Sequence, residues 1–319
     1  MKPQFRMKSC TARLRGRKMG AFDTTGMVFD IAHSSFVDGP GLRTTVFFKG
    51  CNLRCDWCHN PESQHTAPEL AFYARQCRSC GACVAVCPTG AHRLENGQHL
   101  FDRSLCRACS ACAKICPADA LTLFGRTVTV EEILPELLAD RRFYELTGGG
   151  VTVSGGEPLM QPAFLSELLT RLREEGIPTA VDTALAADAE TVRQIAPLCD
   201  LFLCDLKAAH DVPHSRRTGY PLARIQDNFR LLSSLGAQME IRFPLVPGEN
   251  DRETEDCAAF LAGLSGITGV RVLAYHDFAR DKYAALGIPY PLPLTPRPTE
   301  EALDAAVSVF CRAGLRAYR

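Results

Sequence analysis

The chain has 319 residues, 46% of them hydrophobic, and its 36 basic and 36 acidic side chains cancel to a formal net charge of zero. That is enough chain for one barrel-sized domain or two smaller ones. A zero balance provides no global field toward nucleic acid or a membrane surface, and no apolar run is long enough to span a bilayer, so neither partner is expected.

Residues 1–25 read as a basic extension. Lys2, Arg6, Lys8, Arg13, Arg15, Arg17 and Lys18 stand there without an acidic residue before position 20. The segment lacks the apolar stretch of a secretory signal, and Met19 and Met27 are alternative starts, so a disordered extension is expected rather than an arm for an acidic partner. Residues 44–50, TTVFFKG, predict a first strand. Directly after it come Cys51, Cys55 and Cys58 in the spacing C-x3-C-x2-C. Three thiolates can hold three corners of a cubane iron–sulfur cluster and leave one iron open. Four-cysteine ligation builds an electron carrier, whereas an open position lets a metal act on something else, as in three-ligand catalytic zinc sites. A structural zinc site is the competing reading of this spacing.

Residues 67–120 read as an insertion. Cys77, Cys80, Cys83 and Cys87 form C-x2-C-x2-C-x3-C-P, and Cys106, Cys109, Cys112 and Cys116 form it again. This is the pattern of bacterial two-cluster ferredoxins, where the fourth cysteine of each run ligates the other cluster. Cys77, Cys80 and Cys83 are therefore expected to pair with Cys116, and Cys106, Cys109 and Cys112 with Cys87. Clustered free thiolates imply metal binding and a reducing compartment, and a cytoplasmic location is expected. Cys10, Cys199, Cys204, Cys257 and Cys311 stand outside the clusters and read as buried or incidental thiols.

Beyond the insertion, strand-like and helix-like segments alternate. Strands are predicted at 151–154, 179–183, 201–205, 239–244 and 270–275. Helices are predicted near 188–197, 222–235, 251–264 and 299–312. Phe164, Leu165, Leu168, Leu169 and Leu172 mark one more helix face, with Gly176 at its end. Such βα repetition predicts an α/β fold with a parallel sheet. Six repeats suggest an incomplete (β/α)6 TIM-like barrel over 26–66 and 121–319, since a closed barrel needs eight. The insertion then falls at the C-terminal rim of the strands, where such sheets place their chemistry.

SGGEP at 154–158 brings two glycines and a carboxylate to a strand end. With C-x3-C-x2-C it resembles the radical S-adenosylmethionine (SAM) superfamily. DGPGLRT at 38–44, FFKGCNLRCDWCHNPES at 47–63, GGGVTVSGGEPLMQP at 148–162, DLK at 205–207 and IRFPLVPGEND at 241–251 narrow this. They look like the glycyl radical enzyme activating enzymes, over about residues 26–290. The insertion resembles the longer members rather than the short pyruvate formate-lyase activator. The resemblance implies that a reduced [4Fe–4S] cluster on Cys51, Cys55 and Cys58 cleaves SAM. The 5′-deoxyadenosyl radical then takes a Cα hydrogen from the C-terminal glycyl loop of a partner glycyl radical enzyme. It also implies three [4Fe–4S] clusters in all and a flavodoxin or ferredoxin as electron donor.

By the same resemblance, Ser154, Gly155, Gly156 and Glu157 meet the SAM amino group, and Trp57 or His59 lies against the adenine or ribose. Asp182, Thr183 and Asp205 match positions holding Na+ or K+ beside the SAM carboxylate; a plain Asp205–Lys207 pair is the other reading. Arg242 and His276 reach SAM or the glycyl loop, and Asp38 faces the incoming peptide. His33, His65, His92, His99, His210 and His214 read as surface or structural. Two departures stand out: VDTALAA lacks the glycine that many relatives place soon after the VDT-type motif, and HDFARDKY at 276–283 has Ala279 where H-x-x-G-x-x-K-Y has glycine. Competing functions are a radical SAM peptide maturase with auxiliary clusters and a non-catalytic iron–sulfur electron carrier.

Overall fold

The computed structural model describes residues 24–319. Nearly all of the expected basic extension lies outside the described residues. The strands are β1 (Thr25–Ser35), β2 (Arg43–Phe48), β3 (Glu69–Phe72), β4 (His92–Glu95), β5 (Gln98–Phe101), β6 (Leu121–Phe124), β7 (Arg126–Thr129), β8 (Gly150–Gly155), β9 (Thr179–Thr183), β10 (Leu201–Asp205), β11 (Met239–Leu245), β12 (Ile267–Ala274) and β13 (Ala317–Tyr318).

One 9-stranded sheet has the order β13-β12-β11-β10-β9-β8-β2-β1-β7. Neighbours from β2 through β8 to β13 are parallel. β1 and β7 add an antiparallel edge. The sheet has two free ends and is open, as an α/β chain with too few repeats to close requires. Its strands carry nearly continuous buried runs, because helices cover parallel strands on their faces. The helix Pro162–Glu174 shows how: Phe164, Leu165, Leu168, Leu169 and Leu172 are buried along one face at helical spacing. Each is worth about 1.5–3 kcal/mol of transfer free energy. The chain leaves that helix through Gly176 in the left-handed region (φ 68°).

The antiparallel edge is not visible in the sequence pattern. β1 contains Gly26 and Asp30, and most of its side chains are half-buried or exposed, so its alternation is blurred. A second, two-stranded ladder of β3 and β6 forms the base of the cysteine-rich segment, with Glu69 opposite Phe124 and Phe72 opposite Leu121. The expected limit of that segment at 120 falls just before the return strand β6. Among the described residues no helix is long and apolar enough to cross a membrane.

Candidate active site

The C-terminal ends of the parallel strands open onto a cavity of about 290 Å³. Cys51, Cys55 and Cys58 line it from the loop that follows β2. Backbone contacts shape this loop: Leu53 N donates to Cys51 Sγ (3.4 Å), Cys58 N to Cys55 O (3.1 Å) and Arg54 N to Thr218 O (2.6 Å). Burial pushes the Cys51 thiol up to about 12 and raises Cys55 and Cys58 as well. Thiols held so high are thiolates at neutral pH only when a bound cation compensates them. Lys207 pulls all three thiols down but burial outweighs it, and three converging soft ligands left in that state fit an iron–sulfur cluster.

Charged groups ring the same cavity. Asp182 at the end of β9 accepts from Ser154 Oγ (2.7 Å) and from Arg242 Nη1 (3.3 Å). Burial pushes Asp182 up to about 6 against the pull of Arg242, and Asp205 adds to the push. Asp205 at the end of β10 accepts from Lys207 Nζ (2.5 Å). Burial alone would lower Lys207, but Asp205 and its neighbours outweigh it and the ammonium is held above its ordinary range. Arg242 also donates to Val37 O (2.7 Å) and lies 3.8 Å from Asp38, while its buried Nε has no partner. Asp38 itself accepts from Ser35 Oγ (2.6 Å) and Thr45 Oγ1 (2.8 Å).

Glu157 is 1% exposed. Its carboxylate accepts from Thr183 Oγ1 (2.6 Å), Leu159 N (3.1 Å) and Ala184 N (3.0 Å). Burial raises its pKa in spite of these donors. Gly155 and Gly156 serve the loops as much as any ligand: a Cβ on either would collide with backbone of Phe48 or Gly50. The departure after Asp182 and Thr183 has a structural counterpart. Leu185 takes φ 58°, a conformation a bulky residue adopts at a cost of about 1–2 kcal/mol. Leu185 N donates to Thr183 Oγ1 and Leu185 O accepts from Asn228 Nδ2, and these contacts hold it there. Ala279, by contrast, has φ −73°, so its position has no need of glycine.

Trp57 is buried against Val246, Tyr275 and Leu292, and its Nε1 faces no partner. His59 lines the cavity, and His276 stacks on it with ring centroids 4.0 Å apart. His276 thus backs His59 and is not itself among the cavity's lining. The other expected site residues, Asp38, Ser154, Gly155, Gly156, Glu157, Asp182, Thr183, Asp205, Lys207 and Arg242, all line it.

Sequence reasoning missed the groups that hold the cluster loop. Lys49, fully buried, donates to Glu62 O (2.5 Å) and pairs with Glu69 (2.8 Å). Lys282, from the HDFARDKY run, pairs with buried Glu62 and donates to Asn60 Oδ1. Asn250 ties Val246 N to the carbonyls of Lys207 and Pro244. Only the motif runs containing them signal these residues.

The cysteine-rich segment has two further cavities. One is lined by Cys77, Cys80, Cys83 and Cys116, the other by Cys87, Cys106, Cys109 and Cys112. His99 lines the first, with Nε2 3.4 Å from Cys83 Sγ, and His92 lines the second and bonds to His99 at 2.9 Å. Cys83, His92 and His99 also bring their ligand atoms within 4.8 Å of one another.

Residues 45–261 match the Radical SAM superfamily. The benzylsuccinate synthase activating enzyme of Thauera aromatica is 42% identical over 270 residues, 82% of either chain. The choline trimethylamine-lyase activating enzyme of Oleidesulfovibrio alaskensis is 39% identical over 87% of this chain and 92% of that one. The trans-4-hydroxy-L-proline dehydratase activating enzyme of Clostridioides difficile is 38% identical over 89% and 95%.

Proposed function

The chain belongs to the glycyl radical enzyme activating enzymes of the radical SAM superfamily, and from that premise we propose that its strand-end cavity is the site where SAM is bound and cleaved. Such an activase needs a [4Fe–4S] cluster, SAM and a partner glycyl radical enzyme. The observation that carries the proposal is that the three thiols of C-x3-C-x2-C and the Ser154–Glu157 turn line one cavity. Cys51, Cys55 and Cys58 would hold the cluster. Bound there, the cluster would supply the one electron that reductive cleavage of SAM needs, the chemistry by which an activase takes a glycine Cα hydrogen.

The chain's own residues orient the reactants. The turn at Gly155 and Gly156 offers backbone to the SAM amino group, and Glu157 fixes that turn through Thr183 and Ala184. Lys207 and Arg242 provide positive charge for the SAM carboxylate. Trp57 and His59, with His276 behind, form a flat wall for the adenine. Asp38 and Arg242 meet the incoming glycyl loop. The three relatives are named for enzymes with unrelated substrates, so this reading specifies the glycyl loop and not the partner's reaction.

The finer organisation is also our proposal: a partial barrel over 26–66 and 121–319, and a ferredoxin-type insertion with two more clusters. The two separate cavities, each with three cysteines of one run and the fourth of the other, support it. Anaerobically reconstituted protein should then hold about twelve iron atoms, four in each of three clusters. Replacing Cys51, Cys55 and Cys58 by alanine should remove about one third of the iron and all SAM cleavage; an undiminished iron count would refute the assignment.

We also propose a monovalent cation at Asp182, Thr183 and Asp205. It would join Lys207, which already neutralises Asp205. SAM affinity should then differ between Na+ and K+ at equal ionic strength, because screening ignores ion identity. Asp205→Asn should weaken SAM binding and flatten that difference without loss of iron. If the wild type does not distinguish the ions, Asp205 is simply the partner of Lys207.

A further inference from the structure

The cysteine-rich segment carries a surface that the chemistry of SAM cleavage does not explain. Over residues 67–120 six basic side chains face four acidic ones, in a chain that is neutral as a whole. Two of the acids are already taken, Glu69 by Lys49 and Glu95 by Arg93. Arg78 and Lys114 are exposed and have no acidic partner among the described residues. Arg78 directly follows Cys77 and lines the first cavity, and Lys114 lies two residues before Cys116, which lines it too.

The same edge is apolar at its centre. Leu94 is 42% exposed and Ile115 47%. Ile115 directly precedes Cys116, and Leu94 lies over Gly81, where an added Cβ would meet its Cδ1 at 3.1 Å. Cys80, directly before Gly81, is exposed, while Cys83 of the same cavity is buried. An apolar centre with a charged rim beside an exposed ligand is what a small, transient electron-transfer contact needs: apolar area to hold, and charge to steer the encounter.

The ladder β3–β6 orders the two cavities. Its first residue, Glu69, is paired with Lys49, two positions before Cys51. Leu70 lines the second cavity and Phe72 the first. At about 3.3 Å per residue, the first cavity lies roughly 7 Å farther along the ladder from the catalytic loop.

We propose that the face formed by Arg78, Cys80, Leu94, Lys114 and Ile115 is the docking port for an acidic one-electron carrier protein. The inference rests on the two-cluster reading of the insertion. One electron leaves the reduced carrier, which departs oxidised by one electron, and reduces the cluster of the first cavity. From a cluster held by Cys77, Cys80, Cys83 and Cys116 the electron would pass by way of the second cavity to the catalytic loop, where one SAM cleavage would consume it. No proton or group moves with it.

The test uses the reconstituted holoenzyme and an acidic flavodoxin as probe. Its dissociation constant is measured by fluorescence titration at low and high salt. Arg78→Glu with Lys114→Glu should weaken binding about tenfold or more at low salt and flatten the salt dependence. Iron content, the resonance spectrum of the reduced clusters and dithionite-driven SAM cleavage should stay as in the wild type. Leu94→Ser with Ile115→Ser should weaken binding at both salt levels. Wild-type affinity in the charge-reversed protein with its full iron overturns the port, as does a loss produced by Arg107→Glu at the second cavity instead. A wild type holding only about four iron atoms would overturn the two-cluster reading itself, and the port with it.

Discussion

Glu157 shows how a single buried side chain joins two loops at the cavity. Its carboxylate bonds to one hydroxyl and two backbone N–H groups, so the strand-end turn and the loop after β9 are fixed to each other. Replacement by glutamine keeps the shape but turns one acceptor oxygen into a donor facing other donors. Leaving such buried groups unsatisfied costs about 1–3 kcal/mol. Glu157→Gln should therefore unfold at lower temperature and bind SAM more weakly, read by thermal scans and equilibrium dialysis. A variant with wild-type melting and affinity would mean that the carboxylate contributes neither charge nor order there. Glu157 was expected at the site from SGGEP taken together with C-x3-C-x2-C, and it lines the cavity. Two of its three donors were not legible as such, because Thr183 and Ala184 stand 26 and 27 positions away in sequence.

Among the elements, the parallel strands were the most legible. The runs at 179–183 and 201–205 coincide with β9 and β10, since short apolar β-branched stretches between turn residues have few other uses. β1 was not, and a long-range polar contact helps hold it. His33 on β1 bonds to Asp140 (2.6 Å), just past the helix Val130–Ala139, and Thr44 of β2 donates to the same carboxylate (2.7 Å). The bond to Asp140 raises the His33 pKa above its ordinary 6.5. A raised histidine contributes stability that is complete below about 6.5 and is lost as pH rises through the folded-state value. His33→Gln should therefore destabilise most at pH 6, with the difference from wild type shrinking toward pH 9. Melting temperatures across that range check it; a difference constant with pH would show that the imidazolium charge plays no part. The effect should be small, since the histidine is partly exposed and screened.

At the scale of the whole molecule, two very different cores are joined. The large sheet buries a continuous apolar cluster from Val28 to Phe310. The cysteine-rich segment buries Leu70, Cys83, Cys112 and Leu121. Half of that small core is thiol, so on the proposed two-cluster reading its stability should depend on metal, as in other small metal-bound domains. Stripping iron with a chelator should open this segment while the sheet stays folded. Trypsin should then cut first at Arg78, Arg93 or Arg107, and the metal-loaded protein should resist. Early cleavage within 150–312 of the stripped protein would contradict this division.

The sequence by itself determined what is local: the cysteine spacings, the SGGEP turn, the alternation of strand and helix, and through them the family. These are set by covalent distance and by the period of each element, which a chain carries without reference to its fold. Only the tertiary structure decided which charges meet. Arg242 reaches Asp182 across 60 positions because parallel register brings strand ends to one rim, and Lys282, on the helix Arg280–Leu286, reaches Glu62 across 220. It also decided the placement of His276 behind His59. Such neighbours are chosen by burial and packing of the whole chain, which no local pattern records.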